Sequence, residues 1–168
     1  MYEIGDLVVY GRIGVYKIVD IATYNNDAFY KNKLYYVLQP LFGNCKIFAP
    51  VDTKTFMRPI ISAEEAEKLI SRIPTIEAEA YYSNRLQELI QHYESAIKDH
   101  DCADLIKLTM SIHKKKKITE QQKRKFGQID ERFLKQAEDL LCSEFSLALG
   151  IPKEKVSEYI AERVEAIT

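Results

Sequence analysis

With 168 residues, 46% of them apolar and 29% charged, the chain has room for one or two small globular domains and is neither a disordered nor a fibrous protein by composition. A formal net charge of −1 excludes a molecule-wide field that would draw in nucleic acid or a membrane surface. Cys45, Cys102 and Cys142 are odd in number, far apart and without a C-x-x-C, which argues against a zinc knuckle or disulfide framework and for reduced, mostly buried thiols in a cytoplasmic protein.

The N-terminus, Met1-Tyr2-Glu3-Ile4-Gly5-Asp6, lacks the basic and apolar regions of a signal peptide, so none is expected. No apolar run approaches the ~20 residues of a membrane span. Leu7-Val8-Val9-Tyr10 reads as a first strand, ended by Gly11-Arg12-Ile13-Gly14, and Val15 to Tyr24 as a second. Asn25-Asn26-Asp27 reads as a loop, Leu34 to Leu38 as a third strand, Phe42-Gly43-Asn44 as a tight turn, and Cys45 to Val51 as a fourth strand. Four or five short strands in about 55 residues bury little as a flat sheet, so residues 1–60 are expected to close into a small SH3- or Tudor-like β-barrel.

Beyond residue 60 the pattern turns helical. Ser62-Ala63-Glu64-Glu65 has the form of a capping box, and the helix it opens should stop before Pro74. Tyr82, Leu86, Leu89, Ile90, Tyr93 and Ile97 recur at helical spacing. Leu105, Leu108 and Ile112 mark another helix, opened near Asp101. Thr119-Glu120-Gln121-Gln122 resembles a second capping box, leading a long pattern from Phe126 to Ala148. Gly150 suits a helix C-terminus, and Pro152 the first turn of a last helix running toward Ile167. The fold class is therefore α+β, with the barrel followed by an all-α bundle of about five helices over residues 61–168.

Charge picks out one segment. Between residues 107 and 125 stand Lys107, Lys114, Lys115, Lys116, Lys117, Lys123, Arg124 and Lys125 against Glu120 alone. One or two lysines would complement a helix C-terminus, whereas eight basic residues suit a phosphate-contacting patch. The "HKKKKI" run is expected at the end of one helix and "KRK" in the first turns of the next. His92, His100 and His113 lack metal-ligand spacing. With no G-x-S-x-G, P-loop or H-E-x-x-H, no catalytic residue, metal or cofactor is expected, and the chain does not read as an enzyme.

"GDLVVYGRIGVYKIVDI", followed by "LYYVLQPLFGNCKIFAPVD", resembles the RNA-polymerase-interacting domain of the CarD/CdnL/TRCF family. "ADLIKLTMSIHKKKKITEQQKRKFGQIDERFLKQAEDLLCSEFSLALGI" resembles the family's C-terminal helical domain, so the likeness covers nearly the whole chain. It implies a cytoplasmic bacterial transcription regulator, monomeric when free. Its barrel would bind the RNA polymerase β subunit, and its helical domain would touch promoter DNA at the upstream edge of the melted region, modulating open-complex stability. An edge strand can offer main-chain hydrogen bonds to a partner sheet.

The polymerase-facing positions implied are Tyr24, Lys46, Ile47, Phe48 and Pro50. Phe48 is an interface anchor if its strand face points outward and a core residue if it points inward. For DNA the resemblance points to Tyr81, Tyr82, Ser83 and Arg85, where relatives carry a Trp wedge that this chain lacks, and the basic cluster adds Lys114, Lys115, Lys116, Lys117, Lys123, Arg124 and Lys125. Tyr82 could equally pack in the core, and Arg85 could pair with Glu88. Two other classes stay open on the residues, a ribosome- or RNA-binding barrel-plus-helix module and an unrecognised enzyme.

Overall fold

The computed structural model describes residues 1–11, 14–23, 33–98 and 101–167, which divide into two compact units, Met1–Ile60 and Ile61–Thr168. Tyr24, Arg12, Ile13, His100 and the Asn25-Asn26-Asp27 segment lie outside the described residues.

In the first unit β1 (Leu7–Tyr10), β2 (Gly14–Thr23), β3 (Leu34–Pro40), β4 (Ile47–Pro50) and β5 (Met57–Pro59) form one antiparallel sheet in the order β4-β3-β2-β1-β5. Alternation sends Val8, Tyr16, Ile18, Tyr36, Leu38 and Ala49 into a single core. A register shift between Ile18 and Asp20 inserts one extra residue in β2, so Ile18 and Ile21, three apart, both turn toward that core. The backbone N–H of Tyr2 donates to the phenolic oxygen of the buried Tyr36 at 3.0 Å, tying the N-terminal segment to β3. The sheet fits a small Tudor-like fold. Its two edges are β4 and β5, with no ladder joining them among the described residues, so closure into a barrel is not seen there. Both edge strands are short, and each ends in a proline, Pro50 or Pro59.

The second unit contains α1 (Ala63–Arg72), α2 (Leu86–Ile97), α3 (Cys102–Gln121), α4 (Gln128–Leu149) and α5 (Val156–Ile167), with 3-10 turns at Ile73–Thr75 and Lys153–Lys155. The expected capping box forms. Ser62 Oγ accepts from Glu65 N at 3.1 Å, and Glu65 Oε2 accepts from Ser62 N at 3.2 Å. Ser62→Ala is therefore expected to lower the stability of the helical unit by about 1 kcal/mol, read as a shift in urea midpoint with unchanged slope. Pro74 ends α1 by turning the chain into the 3-10 segment, Asp101 caps α3, and Gly150 takes the left-handed conformation (φ 69°) at the end of α4.

The core stripe of α3 runs through Leu105, Leu108 and Ile112, and that of α4 through Phe133, Ala137, Leu140 and Leu141. Buried Glu144 lies on the α4 stripe and accepts from Ile61 N at 2.8 Å and from Cys102 Sγ at 3.2 Å. It thereby fixes the first residue of the unit and the start of α3 onto α4.

Three expectations are corrected. Thr119 does not open a helix. It sits inside the last turns of α3, where its hydroxyl donates to the Lys115 carbonyl at 2.7 Å, and α4 begins only after Gly127. Tyr82 precedes α2 instead of lying on it, because the helix starts at Leu86. Of the three free cysteines only Cys102 is buried, with Cys142 half-buried and Cys45 exposed.

Candidate functional site

On the sheet unit the notable feature is the β4 edge. Ala49 is fully buried opposite Tyr36, while Phe48, one residue away, turns outward and is 56% exposed. Phe48 stands across the ladder from Val37, on the face opposite the core. Lys46 is exposed just before the strand, whereas Ile47 and Pro50 are half-buried, Ile47 against the core cluster. The inward alternative for Phe48 is thus overturned by register. Ile47 and Ala49 occupy the inward positions, so Phe48 cannot.

On the helical unit the four consecutive lysines diverge, since each step along a helix turns about 100°. Lys114 Nζ pairs with Glu79 Oε2 at 2.9 Å. Lys115 is only 8% exposed and its Nζ lies 2.9 Å from Asp130 Oδ1. Lys116 Nζ lies 5.6 Å from the centroid of the Phe126 ring, and Lys117 is exposed. The expectation that all four contact phosphates is corrected for Lys115, which continues the α3 core stripe and is taken by Asp130. The "KRK" segment is also corrected. It forms the turn after α3, not the first turn of α4. Lys123 N donates to Glu120 O and Arg124 N to Thr119 O, both at 3.0 Å, with Lys123 in the left-handed region (φ 57°). This is a Schellman closure with lysine where glycine is usual. Lys123, Arg124 and Lys125 are exposed and, like Lys117, make no side-chain ion pair among the described residues.

Around the start of α2, Tyr82 is 57% exposed and Leu86 62% exposed, an apolar pair presented to solvent. Tyr81 instead stacks on His92, ring centroids 3.7 Å apart and planes 8° from parallel. Burial, and then the charge of Lys115, hold the His92 imidazole below its usual pKa range. Ser83 Oγ donates to Glu88 Oε2 at 2.9 Å and accepts from Arg85 N at 3.1 Å. Arg85 pairs loosely with Glu88 at 3.7 Å, both side chains well exposed. Beneath Tyr82, Lys115 Nζ is 5.0 Å from the ring centroid. Asp130 Oδ1 accepts from both Lys115 and the Tyr93 hydroxyl, and burial followed by the bond to Asp130 pushes the Tyr93 phenol up.

Asp130 was not anticipated from the sequence. It is the third residue of α4, where a carboxylate also meets the positive end of the helix dipole. A Cβ on Gly127 would come within 2.7 Å of Asp130 Oδ2, so a larger residue there would have to displace the Asp130 carboxylate. A signal was present in the sequence. Lys115 follows Leu105, Leu108 and Ile112, and Asp130 precedes Phe133, Ala137 and Leu140, each at core spacing.

Among the described residues no helix is long and apolar enough to cross a membrane, and no group of three His, Cys, Asp or Glu could hold a metal ion.

Residues 2–61 match the family model of the CarD-like/TRCF RID domain. The sheet unit is similar to a CarD-like RID domain. The matched domain is the RNA-polymerase-interacting module of a transcription factor family, and the sheet with its open β4 edge is the part of the chain that the match covers. No curated protein matches the chain. The match ends at the start of the helical unit.

Proposed function

We propose that the chain is a non-catalytic regulator of bacterial transcription. Its RID domain binds the RNA polymerase β subunit through the β4 edge, with Phe48 as apolar anchor and Lys46 beside it. Its helical unit contacts promoter DNA near the upstream edge of the melted region and alters open-complex stability. The observation that carries the reading is the RID match on a unit whose edge strand offers main-chain groups and an outward aromatic side chain. The DNA half is supported by Lys117, Lys123, Arg124 and Lys125, exposed and without ion-pair partners among the described residues, and by Tyr82 and Leu86 on the surface. Lys123 adds a further argument. A side chain in the left-handed region costs about 1 kcal/mol relative to glycine, and a cation held in a strained turn is a reason to look for its use.

The first test is a footprint of bacterial polymerase on promoter DNA with and without the full chain. Added protection at the upstream edge of the bubble supports the reading. Recovery of ribosomal components instead of polymerase subunits from a lysate overturns it. A second test separates binding from folding. Four phosphate contacts predict a log–log salt slope of about −3.6 for DNA binding, at roughly −0.9 per contact. Lys123→Gly removes one cation while relieving the left-handed backbone. It is expected to bring the slope to about −2.7 and to leave stability equal or higher by up to about 1 kcal/mol. An unchanged slope would show that this turn does not touch phosphate.

A further inference from the structure

We propose that Lys115 is a positioning residue for Tyr82. Its ammonium, fixed by Asp130, holds the exposed phenol ring in one attitude on the surface of the helical unit. The use of that ring rests on the DNA reading above, but the positioning itself does not.

Tyr82 lies upstream of α2 on no regular element. An exposed ring in such a place would ordinarily exchange rotamers, and that freedom would be lost on stacking against a ligand. Here the backbone on both sides is already fastened. Upstream, Ser111 Oγ donates to the Glu79 carbonyl at 2.6 Å, and Tyr81 is stacked on His92. Downstream, Ser83 is held by Arg85 N and Glu88. What remains free is the ring's own torsion, and Lys115 Nζ sits under one face of it at 5.0 Å from the centroid.

A lysine on a mobile stem would be a poor platform, since such side chains usually extend their ammonium into water. Lys115 cannot do so. It is on the buried stripe of α3, and its Nζ is gripped at 2.9 Å by a carboxylate that is itself buried and also takes the Tyr93 hydroxyl. The cation attracts the electron-rich ring face, so one face is occupied from below and the other is left to solvent. Lysine at this position thus serves as a support for the aromatic side chain instead of meeting phosphate directly.

The chain has no tryptophan, so Tyr82→Trp places a single reporter at the position. In that background the anisotropy decay and acrylamide quenching of the free full-length protein are compared for Lys115, Lys115→Arg and the double variant Lys115→Met/Asp130→Asn. The double variant removes both charges, so that no buried ion is stranded. The Arg variant is expected to keep the slow, restricted component of the decay, and the double variant to lose it to nanosecond motion with greater quenching. Where circular dichroism shows that the double variant has lost its fold, Lys115→Gln replaces it, removing the cation while keeping a hydrogen-bonding group toward Asp130. An unchanged decay in the folded charge-free variant overturns the proposal. A parallel measurement of open-complex lifetime keeps the two readings apart. If Tyr82→Ala leaves lifetime unaltered while the decay responds as expected, Lys115 still positions the ring and the DNA reading of this face fails.

Discussion

Asp130→Ala is expected to destabilise the helical unit by about 3–5 kcal/mol, more than any substitution on the exposed basic segment. The loss does not measure the worth of the ion pair, because well-packed apolar residues can replace such a pair at little cost. It measures what is left behind. The ammonium of Lys115, a residue only 8% exposed, would face a cavity, and the Tyr93 hydroxyl would lose its acceptor. Against a domain stability of roughly 5–15 kcal/mol, this is a large fraction, visible as an early thermal transition in the far-ultraviolet signal. Asp130→Asn keeps an oxygen acceptor and should fall between Ala and wild type. The exposed Arg85–Glu88 pair is the control. At 3.7 Å and largely solvated, its removal should change stability by no more than about 0.5 kcal/mol. A loss below about 1 kcal/mol for Asp130→Ala would mean that the pair is not buried in solution as described.

Phe48→Asp is expected to weaken binding to polymerase β by at least about 30-fold, the equivalent of ~2 kcal/mol for an aromatic anchor at an interface centre. The same change should move the thermal midpoint little, because the side chain is already 56% exposed and the inward positions of β4 belong to Ile47 and Ala49. Full-length wild type and variant, titrated against purified polymerase and melted in parallel, separate the two quantities. Equal loss of binding and folding would return Phe48 to the core. Full retention of binding would move the interface away from this edge.

The strands and helix ends that could be read from the sequence are those fixed by local chemistry. The capping box at Ser62, the stop at Pro74, the cap at Asp101 and the left-handed Gly150 each depend on a few neighbouring residues, and each forms. The false capping box at Thr119 shows the limit of the same logic. A Thr followed three residues on by Gln is also compatible with a helix interior, where the hydroxyl can bond back to the carbonyl one turn earlier. The four lysines from Lys114 to Lys117 are indistinguishable as letters, and only the position of each around α3 separates the buried one from the rest. Its partner Asp130 is fifteen residues away across a turn, so no local window contains the pair. Two carboxylates, Asp130 and Glu144, are buried on the core stripe of α4, where residue type alone would place a solvated side chain. Tyr82 keeps helical spacing with Leu86 although the chain before α2 is not helical, so spacing alone put the ring on the wrong element.

The two proline-ended outer strands bear on how the molecule behaves at high concentration. A protein that recruits a partner by lending a strand edge runs the risk of recruiting its own copies by the same means. Here the open rows are four residues at β4 and three at β5, and Pro50 and Pro59 each remove one donor from them. Two copies meeting edge to edge could therefore form only a few ladder bonds, too few to offset the entropy of association without further contacts. Stable pairing at β4 has to draw on side chains the visitor supplies, which favours a shaped partner over self-assembly and keeps the edge available to it.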